Sequence, residues 1–70
     1  MAIKVVVYEN GKPSKGHKVE LGWGNDKPYT NGQGEVTFPD VPTRNHTVYV
    51  DGRKVIDDKF ESSGVYSVFL

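Results

Sequence analysis

Alternation of hydrophobic and polar residues along much of the chain predicts β-strands. In the segments 17–23, 35–38 and 46–50, every second residue is apolar or a histidine, and those between are mostly polar. Successive side chains of a strand point to opposite faces, so each segment is expected to turn one face toward a core. The segment 2–9 contains a continuous apolar run instead, which indicates a strand near the centre of a sheet.

Turn-forming residues separate these segments at regular intervals. An Asn-Gly pair at 10–11 and an Asp-Gly pair at 51–52 predict tight hairpin turns, because these residues tolerate the positive φ angles that such turns need. Asn-Gly-Gln-Gly at 31–34 predicts a further turn. Pro-Asp-Val-Pro at 39–42 is too rich in proline for a sheet, so we expect a loop that tucks Val41 beneath it.

A weaker, charged segment at 53–60 and a final apolar segment at 65–70 complete the pattern. Six or seven short strands, spaced by turns and without a capped helix, predict an all-β fold, a small antiparallel β-sandwich. Two hairpins separated by a longer proline loop suggest Greek-key connections. No linker or repeat divides the chain, so residues 1–70 are expected to form one domain.

Composition narrows the possible partners. The 70 residues carry a formal net charge of zero, which argues against nucleic acid and anionic membranes as partners. No cysteine is present, so the core is expected to depend on packing alone, or to be supplemented by a neighbouring domain or an oligomer. No apolar run approaches the roughly 20 residues of a membrane span, and the first residues, Met-Ala-Ile-Lys, do not show the pattern expected of a signal peptide. The localisation stays open: cytoplasmic for a complete chain, extracellular or periplasmic for a domain of a larger secreted protein.

Motifs that carry catalysis are not found in the sequence. No serine lies in a G-x-S-x-G context, and there is no P-loop, dinucleotide fingerprint or H-x-x-x-H pair. We therefore predict that the protein is not an enzyme and uses no cofactor. His17 and His46 each open an alternating segment in phase with the apolar face. They are expected to cap the core edge and bond to the backbone, although a pair of imidazoles near a carboxylate is also a metal-site composition.

Aromatic side chains are the best candidates for a binding site. We assign Trp23, Tyr29 and Tyr49 as candidate binding residues. Trp23 and Tyr29 enclose amide and carboxylate side chains, which is the composition of a carbohydrate-stacking platform. However, the phase of Trp23 matches the apolar face of its segment, so it is expected to close the end of the core. Tyr8, Tyr49 and Tyr66 would mark a protein-contact surface if they clustered.

Two longer motifs resemble a known family. Residues 10–21 contain Asn-Gly-Lys-Pro and then Gly-His-Lys-Val-Glu-Leu, similar to the D-x-x-G-x-P-x-x-G-A-x-V-x-L opening of carboxypeptidase regulatory-like domains. Residues 30–42, Thr-Asn-Gly-Gln-Gly-Glu-Val-Thr-Phe-Pro-Asp-Val-Pro, resemble that family's T-D-x-x-G-x-F-x-F-x-x-L-P. Residues 46–50 fall where the family has Y-x-L-x-V. The resemblance spans about residues 3–56 and extends to collagen-adhesin B-type and transthyretin-like domains.

This resemblance implies a seven-strand, prealbumin-like sandwich. It also implies a non-catalytic accessory role, in which such domains brace or pair with a protein partner or a neighbouring domain of the same chain. The scaffold hosts many functions, so the motifs indicate fold rather than activity. We therefore expect a structural or protein-interaction module, with a carbohydrate-binding module as the alternative. Two departures stand out: His17 replaces the family's usual alanine, and His46 its usual tyrosine.

Overall fold

Seven strands make up the regular structure in a computed structural model that describes residues 2–22, 27–60 and 63–70. In chain order they are β1 (Ile3–Glu9), β2 (Lys12–Pro13), β3 (Val19–Leu21), β4 (Glu35–Phe38), β5 (Arg44–Val50), β6 (Arg53–Phe60) and β7 (Gly64–Phe69). The all-β prediction is thus confirmed, and the seven strands match the upper end of the six or seven expected. Within the described ranges, no helix is long and apolar enough to cross a membrane.

The first sheet is organised around β1. Strand β4 pairs antiparallel with its first half, and β2 pairs with its last two residues through the hairpin at 10–11. Strand β7 runs parallel to β1 along Ile3–Tyr8. Since β4 and β7 both pair with the first half of β1, they lie on opposite sides of it. The antiparallel prediction therefore holds for β1–β2, β1–β4 and the second sheet, and fails for the parallel pair β1–β7.

The second sheet has the order β3-β5-β6 and is antiparallel throughout. The β5–β6 hairpin turns at Asp51-Gly52, with φ angles of 52° and 83°. The β1–β2 hairpin turns at Asn10-Gly11, with φ angles of 56° and 79°. Both pairs of positive φ angles are those of the two-residue turn whose twist matches the flanking strands. Both predicted hairpin turns are confirmed.

The core lies between the two sheets and consists mainly of side chains that the strands turn inward. Its buried members are Ile3, Val5, Val7, Val19, Leu21, Val36, Phe38, Val41, Val48, Val50, Phe60 and Val68. Phe60 is the largest of the fully buried side chains. Val41 is buried from its loop, as its place between two prolines predicts. This shared core packs two sheets against each other and leaves one outer face on each.

Candidate functional site

The imidazole of His17 ties two loops together just before β3. Its Nδ1 lies 2.6 Å from Asp51 Oδ2, and its Nε2 lies 2.9 Å from Ser14 Oγ. An ionised carboxylate only accepts hydrogen bonds, so in the neutral imidazole Nδ1 carries the proton and donates to Asp51. The Ser14 hydroxyl then donates to Nε2. The three side chains therefore have the connectivity of a nucleophile, a base and an orienting carboxylate.

The local backbone explains how this cluster forms. Asp51 occupies the first position of the β5–β6 turn and exchanges two bonds with Lys18: Asp51 N–H donates to Lys18 C=O (2.8 Å), and Lys18 N–H donates to Asp51 Oδ1 (3.0 Å). Thr30, which is buried, clamps the other side. Its hydroxyl donates to Ser14 C=O at 2.7 Å and accepts from His17 N–H at 3.0 Å. We call Ser14, His17, Thr30 and Asp51 the His17 cluster.

The charge at Asp51 follows from these contacts. The hydrogen bond from His17 and the one from the Lys18 N–H lower the pKa of the Asp51 carboxyl below its ordinary value. A second carboxylate, that of Glu9, lies with its Oε2 3.6 Å from His17 Nε2. Oxygen atoms of Ser14, Asp51 and Glu9 therefore surround the imidazole, and the His17 side chain is only 14% exposed.

Acyl transfer needs more than this connectivity, because an oxyanion must be stabilised by preorganised donors. On the loop 14–17, Ser14 N–H donates to Val7 C=O, Gly16 N–H to Thr30 C=O and His17 N–H to Thr30 Oγ1. Three of the four N–H groups of that loop are thus already used within the fold. The loop 14–17 itself therefore offers no pair of free donors for an oxyanion.

A groove of about 510 Å³ opens beside the His17 cluster. Glu9 and Asp51 contribute carboxylates to it, Arg53 a guanidinium group, and Phe69 and Leu70 apolar surface. Opposite charges and apolar groups are mixed in this lining, so it favours no single class of ligand. We assign no ligand to the groove.

His46 occupies the other end of β5 and is a core residue. It is 3% exposed, its Nε2 lies 2.7 Å from Pro42 O, and its ring packs on Phe60 with centroids 5.2 Å apart. A carbonyl only accepts, so Nε2 carries a proton and donates to Pro42. The expected role, an edge cap bonded to the backbone, matches this geometry.

The two histidines lie too far apart to share one metal ion. Position 46 is five residues from Asp51, about 16 Å at the rise of an extended strand, and His17 contacts Asp51. Metal–nitrogen bonds are only about 2.0–2.1 Å long. In the part of the chain that the structure describes, no three carboxylates or imidazoles form a group able to hold a metal.

Two of the three candidate binding residues lie on the outer face of the second sheet. Tyr29 forms a bridge with Lys18, and Tyr49 pairs with Glu20. Val19 lies between Lys18 and Glu20 on β3 and points into the core, so the Lys18 and Glu20 side chains point outward. Paired residues on neighbouring strands share a face, so the side chains of Tyr29 and Tyr49 point outward as well. Tyr29 is 65% exposed and Tyr49 is half-buried. We call Lys18, Glu20, Tyr29 and Tyr49 the tyrosine face. The third candidate, Trp23, lies outside the described residues.

The other tyrosines do not join this face. Tyr8 stacks on Phe69 at 5.0 Å, on the outer face of the first sheet. Tyr66 stacks on Phe60 at 4.4 Å, against the core. The sequence-based suggestion that Tyr8, Tyr49 and Tyr66 form one patch is therefore wrong, because they belong to different sheets or different faces. What sequence reasoning missed is the exposure of Phe69, which is 74% accessible. The sequence signal for this exposure was the spacing of Phe69 from Val65, an even number of residues, which places both side chains on the same face of β7.

Comparisons with known proteins add no identification. No protein-family model matches the sequence, and no curated protein is detectably similar to it.

Proposed function

We propose that this domain is a non-catalytic structural or protein-interaction module whose contact surface is the tyrosine face. The observation that carries the proposal is that Tyr29, 65% exposed, shares one outer sheet face with Tyr49. Tyrosine is enriched at protein interfaces because its ring supplies a large contact area and its hydroxyl tolerates water.

Charge on the tyrosine face is balanced internally, which favours docking. Lys18 Nζ lies 3.5 Å from Glu20 Oε1 on β3, between the two tyrosines. The pair neutralises its own charge, so a partner that covers the face need not supply a counter-charge for either group. Strand pairing holds the backbone of both tyrosines, so binding need not order the backbone at these positions.

The same proposal assigns the His17 cluster a structural role. With its loop donors already used, Ser14 is expected to show no turnover of an activated ester such as p-nitrophenyl acetate above the background of the Ser14→Ala variant. A rate that falls on Ser14→Ala, and a covalent acyl adduct on Ser14 in the wild type, would contradict the non-catalytic assignment.

Membership in the carboxypeptidase regulatory-like group is part of the proposal. Two packed sheets of seven strands support it, as does the burial of Val19, Leu21, Val36 and Phe38 at the apolar positions of the two motifs. A prealbumin-like sandwich with Greek-key connections is the corresponding finer architecture. Under this proposal, the partner is a neighbouring domain of the same chain or a separate protein.

The proposal is tested by affinity capture with matched variants. The wild type, Tyr29→Ala, Tyr49→Ala and the control Thr37→Ala, an exposed position on β4 of the other sheet, are immobilised in equal folded amounts, verified by circular dichroism. A partner of the tyrosine face is expected to bind the wild type and Thr37→Ala equally. Each tyrosine variant should weaken its binding about 5- to 30-fold, the effect of losing about 1–2 kcal/mol at an interface hot spot. Binding that survives both tyrosine substitutions would exclude this face.

A carbohydrate is the alternative ligand, and the exposure of Tyr29 beside the Lys18–Glu20 pair favours it. An exposed ring next to polar groups allows a sugar to stack on the ring while its hydroxyls bond to the side chains. A glycan array probed with the wild type and with Tyr29→Ala separates the two possibilities. A hit that Tyr29→Ala abolishes would favour the carbohydrate, and a silent array would exclude it.

A further inference from the structure

Strand β7 forms an unprotected edge of the first sheet. One side of it pairs with β1, and within the described ranges no strand pairs with its other side. Its sequence, Gly-Val-Tyr-Ser-Val-Phe, contains no charge and no proline. Edge strands of stable monomers usually carry such residues, because these discourage pairing with another chain. Strand β6, an edge of the second sheet, shows the contrast with five charged residues among its eight.

The backbone groups of β7 that remain for another strand follow from its parity. Leu70 N–H donates to Tyr8 C=O, so the even-numbered residues along β7 direct their backbone N–H and C=O groups toward β1. Successive residues of a strand alternate in this direction. The N–H and C=O groups of Val65, Ser67 and Phe69 therefore point away from β1, at the open edge.

Val65, Ser67 and Phe69 can pair with the same three residues of a second copy of the chain. In an antiparallel pair centred on Ser67, Ser67 faces its own copy and Val65 faces Phe69 of the second copy. All three are then hydrogen-bonded positions, each exchanging two backbone bonds with its opposite residue. Val65 is 64% exposed and Phe69 is 74% exposed, and this register places one against the other twice. Such aromatic and β-branched pairs stabilise neighbouring strands.

We propose that two copies of this chain associate through antiparallel pairing of their β7 strands, which joins their first sheets into one continuous sheet. A second copy is the partner that fits because the pairing register follows from β7 alone. The formal net charge of zero adds no long-range repulsion between copies. This association uses a different sheet from the tyrosine face, so it goes beyond the proposed function and does not depend on it.

The test introduces charged residues at position 67, where Ser67 of one copy would face Ser67 of the other across the twofold axis of the dimer. Light scattering coupled to size exclusion should give a dimer for the wild type, with dissociation on dilution. Ser67→Lys places like charges directly opposite each other and should weaken the dimer at least about tenfold. Ser67→Glu should do the same, whereas an equimolar mixture of the two should regain the dimer. Thr37→Lys, an exposed position on β4 of the same sheet, is the control and should remain dimeric.

Each result bears on the proposal. Circular dichroism first verifies that the variants are folded. A monomeric wild type at every concentration would overturn the pairing, and so would a dimer that Ser67→Lys leaves intact. Rescue by the mixed charges, with amide exchange at Val65, Ser67 and Phe69 slowed only in the dimer, would support the proposed register. Capture experiments with Tyr29→Ala are unaffected by either outcome, so this inference and the proposed function can fail separately.

Discussion

Replacing Gly34 by alanine tests the place in the first sheet where β1, the loop after β2 and the turn before β4 meet. Gly34 has a φ of 74°, and a Cβ built on it would lie 2.6 Å from Val7 O and 2.9 Å from Ser14 N. Those two atoms are themselves hydrogen-bonded at 2.9 Å, and Val7 N–H donates to Gly34 C=O at 2.8 Å. The added methyl group therefore meets backbone rather than a flexible side chain, and the strands must separate to accept it.

The expected loss of stability has two parts. Alanine in the left-handed region costs about 1–2 kcal/mol. Displacing Val7 from its bonds to Ser14 or Gly34 costs about 1–3 kcal/mol more, the penalty of a buried polar group that loses its partner. The sum, about 2–5 kcal/mol, is a large share of the roughly 4–10 kcal/mol expected for the unfolding of a domain of this size.

Two other glycines separate these terms. Gly52 has a φ of 83° and no atom within 4 Å of its added Cβ, so Gly52→Ala carries the backbone strain alone. Gly32 has open space around its Cβ, and its φ lies outside the left-handed region, so Gly32→Ala should be near neutral. With a urea slope of about 1 kcal/mol/M, the denaturation midpoint should fall by about 1–2 M in Gly52→Ala and by about 2–5 M in Gly34→Ala, which adds the backbone clash to the same strain.

Equal midpoints for Gly34→Ala and Gly52→Ala would refute the reasoning, since the close backbone approach would then add nothing to the strain of a positive φ. A Gly34→Ala chain that does not fold, beside a folded Gly52→Ala chain, is the extreme form of the expected result. Circular dichroism and one-dimensional proton spectra distinguish these cases.

Two further predictions concern the core and the His17 cluster. Phe60→Ala should cost about 3–5 kcal/mol and Phe60→Leu less than about 1.5 kcal/mol by urea denaturation, because the fully buried ring packs on His46 and Tyr66; equal losses would contradict this packing. The depressed pKa of Asp51 contributes stability that is present above its unfolded value of 3.8 and is lost as the pH falls through the folded value. His17→Ala should raise that pKa toward 3.8 in a carbon-detected carboxyl titration, and an unchanged titration would exclude His17 as the main cause.

Local signals in the sequence account for the hairpins and for most of the core. The Asn-Gly and Asp-Gly pairs dictate their turns through positive φ, and the period of two in 35–38 and 46–50 predicts which residues are buried. The parallel pairing of β1 with β7 has no such signal, because strand direction depends on the path of all the chain between them. Sequence periodicity also predicts a strand from position 17, whereas β3 begins at Val19.

The candidate site was harder to predict than the fold, for a physical reason. Ser14 and His17 are three residues apart, but Asp51 reaches His17 across 34 positions, through a turn whose location follows from the whole β5–β6 hairpin. Motif searches for a nucleophile depend on a local context such as G-x-S-x-G and do not detect this constellation. The tyrosine face, in contrast, required only the alternation along β3 and β5 once their pairing was known.

His17 and His46 both act as polar ties inside the fold. His17 joins the loop before β3 to the β5–β6 turn, and His46 joins the start of β5 to the proline loop. A domain of 70 residues without cysteine has few other means of holding its loops in place. The ring nitrogens of His17, and the Nε2 of His46, are engaged in these ties. The tyrosine face and the open edge of β7 are the surfaces for which we propose binding.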